Sequence, residues 1–447
     1  MARRHFFGTD GVRGIANADL TPDLALSLGS AVARLAIERG VSRPRVVVGR
    51  DTRRSGQMLE DALAAGIASA GGVTLRAGVI PTPGVAWLVN DRGSDLGAVI
   101  SASHNPYPDN GIKFFGGDGF KLTDDEEHRV EQLLTEPFDA PIGYGVGVSQ
   151  ELVDGGEAYV AHIASVVDRD LSSLRVAVDC ANGAASAVAG RLFERLGVEH
   201  DLIGASPNGV NINVRCGSTH LEHVAAKVAS GGYDLGLAFD GDADRLLCVD
   251  ADGRPVDGDH ILAILARDLR ASGGLPGGRV VLTSMANLGL QRALETMGCS
   301  TVVTDVGDRY VLEAMRRDGS QLGGEQSGHV IALAHATTGD GLLTAALLLA
   351  ALAHAGESLA DAARLVTKFP QRLVSVRADR TRLRDADAVW AAVRVAEAEL
   401  GRDGRVVLRA SGTEPLVRVM VEAADEADCE RLCAALVATV EQELGLE

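Results

Sequence analysis

The sequence predicts an α/β protein: three similar α/β domains with mixed sheets and a C-terminal α+β domain, arranged around one central cleft. Three observations carry that expectation. The chain has 447 residues, 46% of them hydrophobic and only 4% aromatic, enough for several aliphatic-rich cores. One supersecondary pattern recurs three times along it. Each recurrence ends in a polar loop, and after Phe369-Pro370 the pattern changes.

The repeats open with "RVVVGRDTRRSG" from Arg45, "RVAVDCANGAAS" from Arg175 and "RVVLTSMANLGL" from Arg279. Each is a short β-branched run, then a polar or glycine-bearing turn, then an alanine- or leucine-rich helical stretch. A second strand follows in "TLRAGVIPTP", "VEHDLIGASPNG" and "STVVTDVGDR". A third ends in an unusual loop: "DLGAVISASHNP" from Asp95, "DLGLAFDGDADR" from Asp234 and "GSQLGGEQSGH" from Gly319. Ligands gather beyond the carboxyl ends of strands in open α/β sheets, so three equivalent loops are expected to face one cleft. Beyond residue 369, "RLVSVRAD" reads as an alternating strand, "DADAVWAAVRVAEAEL" as a helix, and "GRVVLRASGTEPLVRVMVEA" as two strands about a turn. The domain limits expected from this pattern are 1–153, 154–256, 257–368 and 369–447.

Composition narrows the function. A formal net charge of −18 argues against non-specific nucleic-acid binding, and any anion site must be made positive locally. The chain has only four lysines, so Lys113 in the first loop region stands out, because lysine can release a proton where arginine cannot. Six cysteines show neither a CxxC pair nor zinc spacing and read as small core residues in a reducing compartment. Arg3-Arg4 precede no apolar signal core, and the longest apolar stretch, 342–353, is too short to span a bilayer. The expectation is a cytoplasmic protein with no membrane or nucleic-acid partner.

The loops differ in chemistry. In "DGDADR", Asp240, Asp242 and Asp244 alternate, so in an extended segment all three carboxylates can point one way. Such hard oxygen ligands suit Mg²⁺ or Ca²⁺. An EF-hand would need Gly and Glu where Arg245 and Ala251 stand, so that reading fails. In "SASHNP", Ser101 and Ser103 lie two apart, and spacing does not choose between them. A serine hydroxyl needs a base, a metal or prior phosphorylation to react, and no G-x-S-x-G elbow is present. In "GGEQSGH", Glu325 and Ser327 sit between glycines, suited to gripping vicinal sugar hydroxyls; His329 is either a proton carrier or structural. In "RASGTEPLVR", Ser411, Gly412 and Thr413 between Arg409 and Arg418 form a candidate phosphate cradle without a P-loop signature. Together these parts point to phosphoryl transfer on a phosphosugar.

With "FGTDGVRG", "NPYPDNGIKFF", "PNGVNIN", "VGDRYV" and "TTGDG", these loops make the chain resemble the α-D-phosphohexomutase superfamily from residue 7 to the last domain. The resemblance implies four domains about one cleft and a phosphorylated Ser103 as donor, its phosphate completing a Mg²⁺ shell with Asp240, Asp242 and Asp244. It places Arg13 and Arg245 by the transferring phosphoryl group and Lys113 and His329 as general acid and base. It gives Glu325 and Ser327 the sugar hydroxyls, and Arg409, Ser411, Gly412, Thr413 and Arg418 the distal phosphate. The implied reaction interconverts glucosamine 6-phosphate and glucosamine 1-phosphate, toward cell-wall amino sugars. A glucosamine 1,6-bisphosphate or similar bisphosphate would be the activator, and a homodimer is a family expectation. Glucose and mannose phosphates share the hydroxyls that Glu325 and Ser327 would grip, so a phosphomannomutase/phosphoglucomutase is the alternative. Gln326, where glucose/mannose enzymes often carry methionine, tilts the choice toward an amino sugar.

Overall fold

The computed structural model describes residues 6–8, 10–411 and 415–446. The N-terminal unit runs β1 (Phe7–Gly8), β2 (Gly11–Ile15), α1 (Pro22–Glu38), β3 (Arg45–Arg50), α2 (Gly56–Ser69), β4 (Val73–Val79), α3 (Thr82–Asp91), β5 (Leu96–Ile100), β6 (Asp109–Gly116), α4 (Asp124–Leu133) and β7 (Val148–Glu151). The second runs α5 (Gly155–Val166), β8 (Arg175–Asp179), α6 (Ala189–Arg195), β9 (Glu199–Ile203), α7 (Glu222–Ala229), β10 (Leu235–Phe239), β11 (Leu246–Asp250) and β12 (Pro255–Val256). The third runs α8 (Gly258–Ser272), β13 (Arg279–Thr283), α9 (Leu288–Thr296), β14 (Ser300–Thr304), α10 (Asp308–Asp318), β15 (Leu322–Gly324), β16 (Val330–Ala332), α11 (Gly341–Ala355) and α12 (Leu359–Ala363). The last holds β17 (Gln371–Arg377), α13 (Asp387–Leu400), β18 (Arg405–Ala410), β19 (Leu416–Glu422) and α14 (Glu426–Leu444).

The three repeats build the same sheet centre. In each, the first strand is central, flanked by parallel second and third strands: β4-β3-β5, β9-β8-β10 and β14-β13-β15. The third strand then turns back into an antiparallel partner, β6, β11 or β16. Strands β5 and β10 are buried along their whole length, which is why they read as unbroken apolar runs. The hairpin loops between third strand and partner are the three chemical loops picked out in the sequence. The fourth unit is a different type, with β17-β19-β18 antiparallel throughout and covered by α13 and α14.

Local signals set the helix ends. Thr21 accepts from the Leu24 N–H ahead of Pro22 in α1, and Thr123 and Glu126 close a capping box on α4. Helices α1 and α2 pack at backbone distance, because Gly29 faces the Leu63 carbonyl and Gly66 the Leu26 carbonyl, with no room for a Cβ at either.

The core is shared unequally. One apolar cluster runs without a break from Val47 through Phe193 and Phe239 to Leu348 and Val366, joining the first three units. The last unit has its own core, from Val376 to Leu444. It meets the third unit largely through polar contacts: Arg405 donates to the Ala286 carbonyl, Asn287 Nδ2 to the Phe369 carbonyl at 3.0 Å, and Arg292 pairs with Asp403 at 2.8 Å. Among the described residues no helix is long and apolar enough to cross a membrane.

Candidate active site

The Ser103 loop follows β5 and is held in an unusual shape. Ser103 has φ of 49°, a left-handed conformation that non-glycine residues adopt only when the surroundings impose it. Its hydroxyl donates to Asp240 Oδ2 at 2.5 Å, and the residue is 2% exposed. Ser101 does different work: its hydroxyl donates to Asp51 Oδ2 at 2.6 Å and accepts from the Ser103 N–H at 3.0 Å. Of the two serines, then, Ser103 faces the carboxylate cluster and Ser101 braces the loop from behind.

Asp240, Asp242 and Asp244 are all buried, and one oxygen of each lies within 4.8 Å of the others. They converge by a route other than the extended alternation expected from sequence. Residues 240–245 form a turn in which the Ala243 N–H reaches the Asp240 carbonyl at 3.1 Å and Ala243 takes φ of 55°. The turn, rather than pleat, aims the side chains together. Burial, then the charges of Asp244 and Asp242, push the Asp240 carboxyl well above the usual range. Burial acts on Asp244 the same way, but His329, Lys113 and Arg245 outweigh it and hold that carboxyl low. Asp242 Oδ1 and Asp244 Oδ1 are buried without a hydrogen-bond partner. Orphaned buried carboxylate oxygens in a close trio fit a hard divalent cation, which would satisfy both and relieve the mutual repulsion.

A chain of alternating charges encloses the trio. Lys113 Nζ lies 3.0 Å from Asp10, 3.4 Å from Asp242 and 3.9 Å from Asp244. Burial alone would lower the Lys113 pKa; the three carboxylates reverse the direction and keep it protonated. Lys121 bridges Asp10, at 2.6 Å, to Asp308. His329 Nδ1 is 3.5 Å from Asp244, while Nε2 accepts the Gly339 N–H at 3.1 Å and stands 3.9 Å from Asp308. Burial depresses the imidazolium, and Asp244 with Asp308 and Glu325 raises it above its ordinary value. Arg13 pairs with Asp10 through a terminal nitrogen, and Arg245 Nε lies 3.7 Å from Asp244 Oδ1; both Nε atoms are buried without a hydrogen bond. Both guanidinium groups are only partly buried and stand beside the carboxylate trio.

In the third loop, Ser327 donates to Glu325 Oε2 at 3.3 Å, and the Gly307 N–H reaches Glu325 Oε1 at 3.1 Å. In the fourth, Arg409 and Arg418 stand directly opposite across β18 and β19. Like charges directly opposite each other across a ladder are unfavourable in themselves. Burial, then Arg418, lowers the Arg409 pKa, while Asp305 and Glu325 of the third unit act on it in the opposite sense. Arg409 is therefore electrostatically within reach of the third loop. The Ser411 N–H reaches the Leu416 carbonyl at 2.9 Å, and Gly412 and Thr413 lie outside the described residues.

Several groups escaped the sequence reading. Asp51 and Arg53 sit just past β3, at the strand end where the same carboxyl-edge rule applies, yet in the sequence the segment reads only as the start of a repeat. Asp10, Lys121, Asp308 and Asn213 lie in or beside quoted motifs, without a pattern that assigns them a task.

Models of the phosphoglucomutase/phosphomannomutase family match the chain four times: α/β/α domain I over residues 4–139, domain II over 157–253, domain III over 257–369 and the C-terminal domain over 373–439. The chain belongs to this family, within the α-D-phosphohexomutase superfamily. Among its relatives, phosphoglucosamine mutase of Moorella thermoacetica is 52% identical over 434 residues, 96% of this chain and 98% of that one. Phosphoglucosamine mutase of Bacillus subtilis is 48% identical over 446 residues, 99% of each. A phosphoglucomutase/phosphomannomutase family protein of Burkholderia thailandensis superposes with a TM-score of 0.83 at 26% identity, over 98% of this chain and 99% of that one. N-acetylphosphoglucosamine mutase of Aspergillus fumigatus, solved with GlcNAc-6P and magnesium, has the same fold, with a TM-score of 0.69 at 19% identity over 99% and 96%.

Proposed function

We propose that the chain catalyses the phosphoglucosamine mutase reaction, the reversible conversion of α-D-glucosamine 6-phosphate to α-D-glucosamine 1-phosphate. The observation that carries the chemistry is the Ser103 hydroxyl in a strained loop, 2.5 Å from a buried three-carboxylate cluster. The choice of amino sugar rests on relatives of that name at about half identity over nearly the whole chain. The reaction feeds amino-sugar precursors of the cell wall, in the cytoplasm. Four domains, with limits at 153/154, 256/257 and 368/369, each lend one loop to the cleft, and the enzyme works as a homodimer.

Ser103 carries the phosphoryl group in the resting enzyme. Asp240, Asp242 and Asp244, with that phosphate, would hold Mg²⁺. When bound, the cation supplies neutralisation of the charge on the phosphoryl oxygens, the main requirement of a loose phosphoryl-transfer transition state. Glu325 and Ser327 grip the sugar hydroxyls, and Arg409, Ser411, Gly412, Thr413 and Arg418 take the substrate's own phosphate. In the first transfer the Ser103 Oγ–P bond breaks as the O1–P bond forms. The O1 proton passes to the base and Oγ receives one from the acid, with Lys113 and His329 filling these roles and Arg13 and Arg245 flanking the moving group. The 1,6-bisphosphate then turns round. Its O6–P bond breaks, the Oγ–P bond re-forms, and the protons return by the reverse route. A bisphosphate of this kind also restores enzyme that has lost its phosphate to water.

Specificity constants for glucosamine, glucose and mannose 6-phosphates test this reading. Glucosamine 6-phosphate is expected to lead by at least tenfold. Equal turnover of glucose 6-phosphate would move the chain to the phosphoglucomutase/phosphomannomutase alternative.

A further inference from the structure

The loop that carries Ser103 is held by two side chains from different domains. Arg53, with its side chain fully buried, uses all five of its N–H groups. Nε donates to Asp51 Oδ2 at 2.8 Å. One terminal nitrogen donates to the carbonyls of Pro106 at 2.5 Å and Asp109 at 3.1 Å; the other donates to those of Ser103 at 2.9 Å and Asn105 at 2.8 Å. Asn213, from the second domain, donates through Nδ2 to the same two carbonyls, Ser103 at 2.9 Å and Asn105 at 3.1 Å. Each carbonyl thus takes one bond from each domain.

The junction is close on both sides. Thr52 Oγ1 donates to the Asn182 carbonyl at 2.5 Å, and the Arg54 N–H to the Gly209 carbonyl at 2.8 Å. A Cβ on Gly241 would lie 2.5 Å from the Ser103 carbonyl, so only glycine lets the carboxylate turn approach the serine loop this closely. Asn213 is itself in the left-handed region, with φ of 60°, as is Ser103.

From this geometry we propose that Arg53 and Asn213 are positioning residues. They clamp the Ser103 carbonyl across the domain boundary and so fix the left-handed backbone that aims Oγ at the carboxylate cluster. The inference rests on Ser103 being the phosphoryl carrier. Neither residue touches the substrate; each acts through the serine. With the clamp loosened, Ser103 relaxes toward the extended backbone that a serine prefers, and its phosphate leaves the line of transfer. A misplacement near 1 Å suffices for a loss on the order of 100-fold.

Asn213→Asp is the cleanest probe, because it keeps shape and removes the amide donors. Asn213→Gly keeps the backbone freedom. Arg53→Lys keeps the charge without the five-donor fork. Three readouts on purified full-length protein decide the matter: the phosphosite mapped by mass spectrometry, kcat against KM for glucosamine 6-phosphate, and single-turnover discharge of the phosphoenzyme. Asn213→Asp and Asn213→Gly are expected to lower kcat and the discharge rate about 10- to 100-fold, with KM within threefold of the parent and the thermal midpoint still well above assay temperature. Arg53→Lys should show the same pattern where it folds; the Asn213 variants keep the question open to refutation if it does not. Parental rates in both Asn213 variants, or losses that merely follow a lost folded fraction, would overturn the clamp. Phosphate absent from Ser103 in the parent protein would instead overturn the reading on which it rests.

Discussion

Ser101 and Ser103 are equivalent on paper and unlike in space. One hydroxyl braces Asp51 and the Ser103 N–H; the other faces three carboxylates. Ser103→Ala is expected to abolish turnover. Ser101→Ala leaves the buried Ser103 N–H without its acceptor and takes one of two donors from Asp51 Oδ2, and should lower turnover by about tenfold without ending it. Steady-state assays on the two variants check both statements. Asp340 offers a separate test at this scale. Burial pushes its carboxyl up to about 6, although it caps α11 and accepts the Tyr159 hydroxyl at 2.8 Å. A raised folded pKa means that its contribution to stability is full below the unfolded value and is lost as pH rises through about 6. Asp340→Asn, which still caps the helix, should therefore gain on the parent between pH 4 and 6 and hold that gain above. The gain is at most about 3 kcal/mol, read from urea midpoints in metal-free buffer. A difference that does not change with pH would contradict it.

At the level of elements, the threefold strand-helix-strand plan was legible because β-branched runs and alanine-rich stretches alternate at a regular spacing, and because turn residues mark each strand end. The rule that ligands gather at carboxyl ends then located the loops of Ser103, Asp240 and Glu325. What it could not locate were partners set by tertiary contact. Arg53 reads as one of several arginines after a strand, and nothing local says that its guanidinium lies buried under a neighbouring hairpin loop. The spacing of the aspartates marks them as a group, and the structure brings the three carboxylates together, but the turn at Ala243 that aims them depends on a left-handed residue that composition does not announce. Removing metal with a chelator should end turnover and added Mg²⁺ should restore it; Asp242→Asn should raise the Mg²⁺ concentration required by at least tenfold. Away from the site, the touching backbones of α1 and α2 leave no space at Gly66. Gly66→Ala should force the helices apart at a loss of about 1–3 kcal/mol, visible as a lower thermal midpoint.

Across the whole molecule, one continuous core welds the first three units, and the fourth keeps its own. The contacts that hold the Ser103 loop, the carboxylate trio and the Lys121 bridge between Asp10 and Asp308 all lie within the welded part. The arginine pair at 409 and 418 stands on the part joined by polar contacts. On the proposed function, the phosphoryl-transfer loops then sit on a shared core and the hold on the distal phosphate on a unit with its own, a division suited to an intermediate that must turn round between two transfers. The phosphoryl group is expected to reside on Ser103. Peptide mapping by mass spectrometry, before and after a single addition of glucosamine 6-phosphate, tests that most directly. One phosphate is expected, on Ser103, passed to the sugar rather than to water. Phosphate on Ser101, or a Ser103 phosphate that the sugar does not discharge, would contradict it.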